Sequence, residues 1–169
     1  RSILDLLPSG DHSFVLKEEM ESDPLSITGT EGLVVEYGEC CGPIPGDPIH
    51  GVLRTGHGVV VHRSQCSHLL KAIQNKVKIM PVGWADNVTG EYRVNVKVEA
   101  MNQRGVLAMM ALAVSDAKAN IDDIGIRDYT EQQAVVLLKL QVTDRKQLAN
   151  VIRRLRRIKL VMRAEREPK

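Results

Sequence analysis

Apolar and polar residues alternate most regularly in the second half of the chain, after the turn-forming residues 86–90. Residues 92–100 place Val and Ala on one face and charged or amide side chains on the other, which predicts a half-buried strand. Residues 103–117 then carry apolar side chains at helical spacing, with Asn102 in position to cap the helix. This stretch therefore predicts a strand followed by a helix.

The rest of the second half continues with equally clear signals. The pattern predicts strands at 120–127 and 133–142, a helix at 145–157 and a strand at 158–166. The resulting order is βαββαβ, which predicts a four-stranded antiparallel sheet with both helices on one face.

One predicted strand, 133–142, is apolar on both faces. Residues 134, 136, 138 and 140 share one parity, and Val135 and Leu137 have the other. Because two helices cover only one face of a sheet, the second face needs a cover, either the amino-terminal part of the chain or another copy. A fully buried central strand in a monomer is the alternative.

The first half of the chain has shorter and less regular elements. Residues 1–25 interleave Pro, Ser and Gly with short apolar pieces, which is typical of a helix end and a linker. The following residues predict a β-rich unit, with a strand at 33–37, a rigid turn region at 38–51, a hairpin of 51–54 with 58–62, a helix at 64–75 and a strand at 77–82. We therefore expect an α/β (α+β) chain divided into 1–25, 26–88 and 89–169.

Composition excludes several classes of protein. No run approaches the roughly 20 apolar residues that span a bilayer, so we expect no membrane insertion. Aromatic residues make up only 3% of the 169 residues, which argues against recognition of bases by stacking. The chain begins without Met and without a signal-peptide core, and we expect it to be a fragment of a larger protein.

The three cysteines, Cys40, Cys41 and Cys66, are a poor disulfide framework because their number is odd and two are adjacent. A reducing, cytoplasmic location is favoured. Together with His62 they offer four donors of the kinds that zinc prefers, enough for a closed tetrahedral site. Three buried reduced thiols beside a core histidine are the alternative, and a Cys/His nucleophile pair is a weaker one.

Charge is distributed unevenly along the chain. Residues 1–50 carry 10 acidic and 2 basic side chains, a net charge of −8, whereas residues 51–169 carry 11 and 21, a net charge of +10. Residues 145–169 alone hold 10 basic and 2 acidic side chains. This tail suits a phosphate-rich or acidic partner, and a solvated helix face explains it equally well.

Residues 40–51 (CCGPIPGDPIHG), 56–63 (GHGVVVHR) and Cys66 resemble the RIS or zinc-finger segment of long RelA/SpoT homologues, the (p)ppGpp synthetase/hydrolases, and residues 27–33 fit the same family. The βαββαβ unit resembles the ferredoxin-like ACT domain that ends those enzymes, so the resemblance covers residues 26–166. It implies that the zinc ligands are Cys40, Cys41, His62 and Cys66.

The resemblance also implies an amino-acid ligand, branched-chain in type, bound at an ACT dimer interface. The turn before the first ACT helix would hold it, because Gly105 permits close backbone approach and a helix start attracts a carboxylate. The residues concerned are Asn102, Arg104, Gly105, Val106 and Leu107, completed by Asn120 and Ile121. The usual acidic residue of this turn is replaced by Asn102, and a plain capped helix is the alternative.

The function that the resemblance implies is regulatory. The sequence contains no hydrolase-type His-Asp cluster and no phosphate-binding loop, so we expect no catalysis here, with control exerted on upstream catalytic domains of a (p)ppGpp synthetase (GTP pyrophosphokinase), a 3′-pyrophosphohydrolase or both. We expect a homodimer through the ACT sheet at Val135 and Leu137. A ribosomal-RNA-binding module is the rival hypothesis, and its phosphate contacts would come from Arg63, Lys71, Lys76, Arg153, Arg154, Arg156 and Arg157. Autonomous thiol chemistry at the adjacent cysteines is a third hypothesis.

Overall fold

The computed structural model describes residues 27–168 apart from positions 29, 31, 57 and 87. The helix end and linker predicted for residues 1–25 lie outside these described residues. The chain forms two compact units, one ending at Gly90 and the other beginning at Glu91. Each mixes strands and helices, which confirms the α+β fold class.

The first unit is built on a short four-stranded sheet. Its order is β2-β4-β3-β5, with β2 parallel to β4 and the other pairs antiparallel, while β1 and β6 form a separate two-stranded ladder. The elements are β1 (Ile27–Thr28), β2 (Val35–Tyr37), β3 (Ile49–Arg54), β4 (Gly58–Arg63), α1 (Ser67–Gln74), β5 (Ile79–Pro81) and β6 (Gly83–Trp84).

Strand β4 is buried on both faces, and this separates two small apolar clusters. On one face Val59 and Val61 pack with Ile27 and Ile49. The other cluster joins Val52 of β3, Leu69 of α1 and two cysteines, Cys41 and Cys66. His62 has the opposite parity to Val61, so β4 directs it toward the cysteine cluster.

The second unit has the predicted βαββαβ order. Its sheet is antiparallel throughout, in the order β10-β7-β9-β8. The elements are β7 (Tyr92–Met101), α2 (Val106–Asp116), β8 (Asn120–Tyr129), β9 (Gln133–Val142), α3 (Arg145–Arg156) and β10 (Val161–Glu167). No helix in the described part of the chain is long and apolar enough to cross a membrane.

The core of this unit lies between the sheet and the two helices. Alternate residues of β7 and β9 are buried, which for β7 is what its strict alternation predicts, and Met110, Val114, Val151 and Leu155 cover them from the helices. Val135 and Leu137 point to the other face and are half-buried. Within the described chain, the helices cover one face of β9 completely, and the face with Val135 and Leu137 is only partly covered.

The predicted cap of the first ACT helix is wrong. Helix α2 begins at Val106, not at Gln103, and its N-cap is Gly105 with a left-handed φ of 85°. A residue in this conformation cannot continue a right-handed helix, so the turn at Gln103–Gly105 stays outside it. The side chain of Asn102 instead donates to the carbonyl oxygen of Thr130 at 2.7 Å, which ties the loop to the β8–β9 turn.

Candidate metal centre

Four side chains from three separate elements converge in the first unit. Cys40 and Cys41 lie in the loop after β2, His62 is in β4, and Cys66 immediately precedes α1. One donor atom from each lies within 4.8 Å of all the others. These are the four residues that the sequence and the family resemblance indicate as metal ligands, and the fold places them together.

The distances within the cluster are close to those of a tetrahedral zinc site. The Sγ of Cys40 lies 3.3 Å from Nδ1 of His62 and 3.5 Å from Sγ of Cys66, and the Sγ of Cys41 lies 3.7 Å from the same Nδ1. Bonds of about 2.3 Å to sulfur and about 2.0 Å to nitrogen imply about 3.8 Å between sulfurs and about 3.5 Å from sulfur to nitrogen. All three thiols are free, so no disulfide competes for them.

A tight turn allows both adjacent cysteines to face the site. The amide N–H groups of Cys41 and Gly42 donate to the carbonyl oxygen of Gly38, at 3.4 Å and 2.9 Å. Gly38 also packs directly against the imidazole, because a Cβ added there would lie 2.6 Å from Nδ1 of His62. The buried carboxylate of Asp47 stabilises the rest of the loop by accepting from the amide of Ile44 at 2.8 Å.

Backbone donors stabilise sulfur in its charged form. The amide of Arg63 donates to Sγ of Cys41 at 3.3 Å. Burial alone raises the pKa of Cys66, but N–H groups of Leu69 and His68 at the start of α1, with the neighbouring thiols, outweigh it and lower that pKa. Cys66 is therefore the thiol that ionises first.

The other donors indicate why a cation suits this cluster. Burial, followed by the hydrogen bond to Cys66 and repulsion from the other two sulfurs, raises the pKa of Cys40 to about 12. Burial also lowers the pKa of His62, so its neutral ring keeps a lone pair for ligation. A bound divalent cation offsets both the burial and the repulsion between thiolates that keep Cys40 protonated. The donor set thus fits a metal ion.

The turn before α2 forms part of a second candidate site, a cleft of about 330 Å³. Its lining residues are Asn102, Gln103, Gly105, Val106, Leu107, Ala108, Ile126, Ala134 and Val136. Arg104 is exposed in the same turn but does not line the cleft.

Asn120 and Ile121 do not complete this cleft within one chain. They begin β8, six and five residues before Ile126, which places them about 17 to 20 Å away along the strand. Asn120 bonds to Glu91 there, at 3.1 Å. The pairing register accounts for this separation: β7 and β8 both run antiparallel to β9 between them, so the end of β8, not its start, lies at the same edge of the sheet as the end of β7. Their place in a ligand pocket at a dimer interface stays a prediction.

The predicted phosphate-binding residues fall into both units. Lys71 and Lys76 are exposed and Arg63 is half-buried in the first unit. At the end of α3, Arg153, Arg156 and Arg157 are exposed and Arg154 is half-buried. The Nε of Arg156 donates to the carbonyl oxygen of Ala164 at 3.0 Å, so this residue also holds β10.

Three residues at these sites were missed by sequence reasoning. Gly38 contacts His62, and Nδ1 of His68 lies 4.0 Å from Sγ of Cys66, where it extends the cluster. Ile126 lines the cleft beside the α2 turn. The position of His68, two residues after the predicted ligand Cys66, was the available signal; nothing in the pattern indicated Gly38 or Ile126.

The two units match two known domain families. Residues 25–85 match the RelA/SpoT RIS domain, and residues 89–166 match the ACT domain. The four-donor cluster lies in the RIS match, and the cleft lies in the ACT match. The chain is the RIS and ACT region of a RelA/SpoT homologue, which confirms the resemblance.

Similar curated proteins carry the names of (p)ppGpp enzymes. The bifunctional (p)ppGpp synthase/hydrolase SpoT of Escherichia coli is 31% identical over 78% of this chain and 19% of its own length. A GTP pyrophosphokinase of Photobacterium angustum is 29% identical over 86% of this chain and 20% of its length, and the bifunctional RelA of Mycobacterium tuberculosis is 28% identical over 79% and 18%. The chain thus spans about a fifth of the length of these relatives.

A solved structure is also similar to part of the chain. The ACT domain from GTP pyrophosphokinase of Chlorobium tepidum aligns with 46% of this chain and 99% of its own, at 17% identity and a TM-score of 0.41.

Proposed function

We propose that this chain is the regulatory region of a stringent-response (p)ppGpp synthetase/hydrolase, in which a zinc ion stabilises the RIS unit and the ACT unit transmits a sensed state to catalytic domains elsewhere in the parent protein. The observation that carries the proposal is the Cys40, Cys41, His62 and Cys66 cluster within a RIS domain. Four protein donors leave no open position for a substrate, so zinc at this site is structural and stabilises the folded unit.

The metal is tested by elemental analysis of reduced protein purified without chelator. About one zinc per chain is expected from four protein ligands. Replacement Cys66→Ser should remove the zinc, since a hydroxyl is a poor ligand for it. The matched control is His50→Ala, because His50 is exposed and bonds to Ser64 instead of the cluster, at 2.9 Å.

Zinc below a tenth of the chain concentration in the parent chain would contradict the metal assignment, and equal zinc in the Cys66→Ser variant would place the ion elsewhere. The regulatory role is tested separately in the full-length parent. There, Cys66→Ser should change the balance of (p)ppGpp synthesis and hydrolysis while His50→Ala should not. Unchanged activities in a metal-free variant would contradict regulation through this unit.

The cleft beside the α2 turn supports an amino acid as the sensed ligand. Gly105 keeps the backbone open there, and apolar side chains from α2, β8 and β9 suit a branched aliphatic side chain. Calorimetric titration with valine, leucine and isoleucine tests this, with Val106→Trp as a variant that fills the cleft. Heat that is equal in both proteins would exclude binding at this cleft.

RNA binding is a second candidate function, supported by the basic end of α3. Arg153 and Arg157 are exposed, so they can contact phosphates without disturbing the fold. The double variant Arg153→Gln, Arg157→Gln should weaken binding to a structured RNA hairpin and flatten its dependence on salt. Arg93→Gln is the control, since Arg93 is exposed on β7, and its ion pair with Asp122 is long, at 3.8 Å. An unchanged salt slope in the double variant would contradict this function.

A further inference from the structure

The ACT unit has a groove of about 600 Å³ that neither the metal centre nor the amino-acid cleft uses. It lies between the second half of α2 and the residues that follow α3. Its apolar floor includes Met109 and Leu112, which are 46% and 62% exposed. These two lie three positions apart on α2, on the same side of the helix.

Helix α2 therefore has more apolar surface than the sheet covers. Val106, Met110 and Val114 are buried against the sheet, as one amphipathic stripe requires. Met109 and Leu112 form a second stripe, and a contiguous exposed apolar patch of this kind marks an interaction site.

The border of the groove is basic. Arg154, Arg157 and Lys159 line it, against a single acidic lining residue, Asp116. The Nε of Arg154 is enclosed, and within the described part of the chain it has no hydrogen-bond acceptor. An enclosed donor without an acceptor is costly, so a side-chain movement that pairs the Arg154 guanidinium with an anionic group in the groove would be favourable.

These features favour one kind of occupant. A nucleic-acid backbone offers phosphates but no apolar surface for Met109 and Leu112. A second copy would present the same basic border in a two-fold contact, and like charges would oppose each other. An acidic amphipathic helix supplies both the apolar stripe and the carboxylates, and from Met109 to Asp116 the groove is about 10 Å long, enough for two helical turns.

We propose that this groove binds an acidic amphipathic helix of a partner protein, with apolar side chains seated on Met109 and Leu112 and a carboxylate on Arg154 or Arg157. This interaction goes beyond the proposed function, because it assigns the ACT unit a protein partner at a groove that shares only Gln103 with the proposed amino-acid cleft. It requires no zinc, since the cluster lies in the other unit.

The test uses the full chain and a fluorescein-labelled helical peptide of 16 residues, with leucine at i, i+4 and i+7 and glutamate on the flanks. A peptide of the same composition in scrambled order is the control. The ordered peptide should bind at least tenfold more tightly, and Leu112→Glu should weaken it at least tenfold. Met162→Glu should not, because Met162 is also an exposed apolar residue, on β10, and it does not line the groove.

A charge exchange separates specific docking from a loss of fold. Arg157 is exposed, so Arg157→Glu should leave the fold intact. It should weaken binding of the glutamate peptide and strengthen binding of a peptide with lysine at the same flanks. Equal binding of ordered and scrambled peptides, or no binding at millimolar concentration, would overturn the proposal. Dissociation of a dimer by Leu112→Glu would also overturn it, because that result assigns the groove to a second copy. Displacement of the ordered peptide by an RNA hairpin at equimolar concentration would overturn it as well.

Discussion

Gly38 is the residue on which the geometry of the metal centre depends most directly. It is buried, and its Cα faces the imidazole of His62 so closely that a Cβ would lie 2.6 Å from Nδ1 and 2.8 Å from Cε1. Its amide donates to the carbonyl oxygen of Val61 at 2.8 Å, which fixes the loop to β4. An added methyl group can be accommodated only if the ligand ring or this backbone moves.

We therefore predict that Gly38→Ala weakens zinc binding at least tenfold, within the 10 to 100-fold range for groups that orient a ligand. Competition with a chromophoric chelator measures this. Gly125→Ala is the control, because a Cβ at Gly125 has no heavy atom within 4 Å. Equal affinities of the two variants would show that His62 tolerates the displacement or is not a ligand.

At this scale the sequence predicted which four donors cluster, but not what positions them. Cys40, Cys41, His62 and Cys66 are recognisable because their side-chain chemistry is specific. Gly38 acts through the absence of a side chain, and the bond from Asn102 to Thr130 depends on a turn 28 residues away. Neither contact leaves a local pattern in the sequence.

Among the elements, α3 has the most complete start. Asp144 accepts from the amide of Gln147 at 2.8 Å, and Gln147 accepts in return from the amide of Thr143 at 2.7 Å. The Gln147 side chain also donates to the carbonyl oxygens of Ala117 and Lys118, at 3.2 Å and 2.9 Å, so it joins the start of α3 to the end of α2. The arrangement differs from a capping box in that Gln147 accepts from the residue before the N-cap, and it also connects two helices.

We predict that Asp144→Ala lowers the free energy of unfolding of the ACT unit by about 1 kcal/mol, the usual effect of losing an N-cap. Gln147→Ala should lower it further, because it also leaves two carbonyl groups without this donor. Denaturant unfolding monitored by helical circular dichroism measures both. Lys146→Ala, an exposed change in the same turn, should alter stability by less than about 0.5 kcal/mol, and an equal loss there would contradict the role of the cap.

The predictability of the elements followed their length and periodicity. The four long strands and two helices of the ACT unit were predicted in the right order because each repeats its pattern several times. The two-residue ladder of β1 with β6 was missed, since two residues carry no period. The predicted start of helix α2 was too early. The sequence before Gly105 is compatible with a helix, and only the left-handed φ of Gly105 prevents the helix from beginning there.

Self-association concerns the whole molecule and depends on the open face of the ACT sheet. The ion pair of Arg127 with Glu167, at 2.7 Å, joins the two edge strands β8 and β10. Glu167 is paired through Asn95 with Lys139, which puts it on the same face as Val135 and Leu137, so this ion pair makes the face only partly apolar.

We predict a dimer by sedimentation, in which Val135 and Leu137 complete their burial against a second copy. Val135→Lys should then shift the chain to a monomer with little loss of stability, because Val135 is only half-buried within one chain. Arg93→Lys, a conservative exposed change on the neighbouring strand, is the control. A clean monomer of the parent chain at high micromolar concentration would contradict a dimer through this face.

The two units should differ in how strongly they depend on metal. The first unit is small, and half of one of its two buried clusters is two cysteines of the candidate metal centre, Cys41 and Cys66, which lie beside Val52 and Leu69. A domain of this size rarely reaches independent stability through its apolar core alone, and a structural metal is one of the usual supplements. The ACT unit contains none of the four ligands and has a continuous core between its sheet and helices. A metal that binds only the folded RIS unit stabilises that unit and no other.

We therefore predict two transitions in calorimetry of the zinc-loaded chain. Excess chelator should lower the temperature of one of them by at least 10 °C, as loss of a few kcal/mol implies for a domain of this length. Returning zinc should restore that transition, and Cys66→Ser should abolish the effect of chelator. A chelator effect of equal size on both transitions, or on neither, would contradict a structural metal confined to the RIS unit.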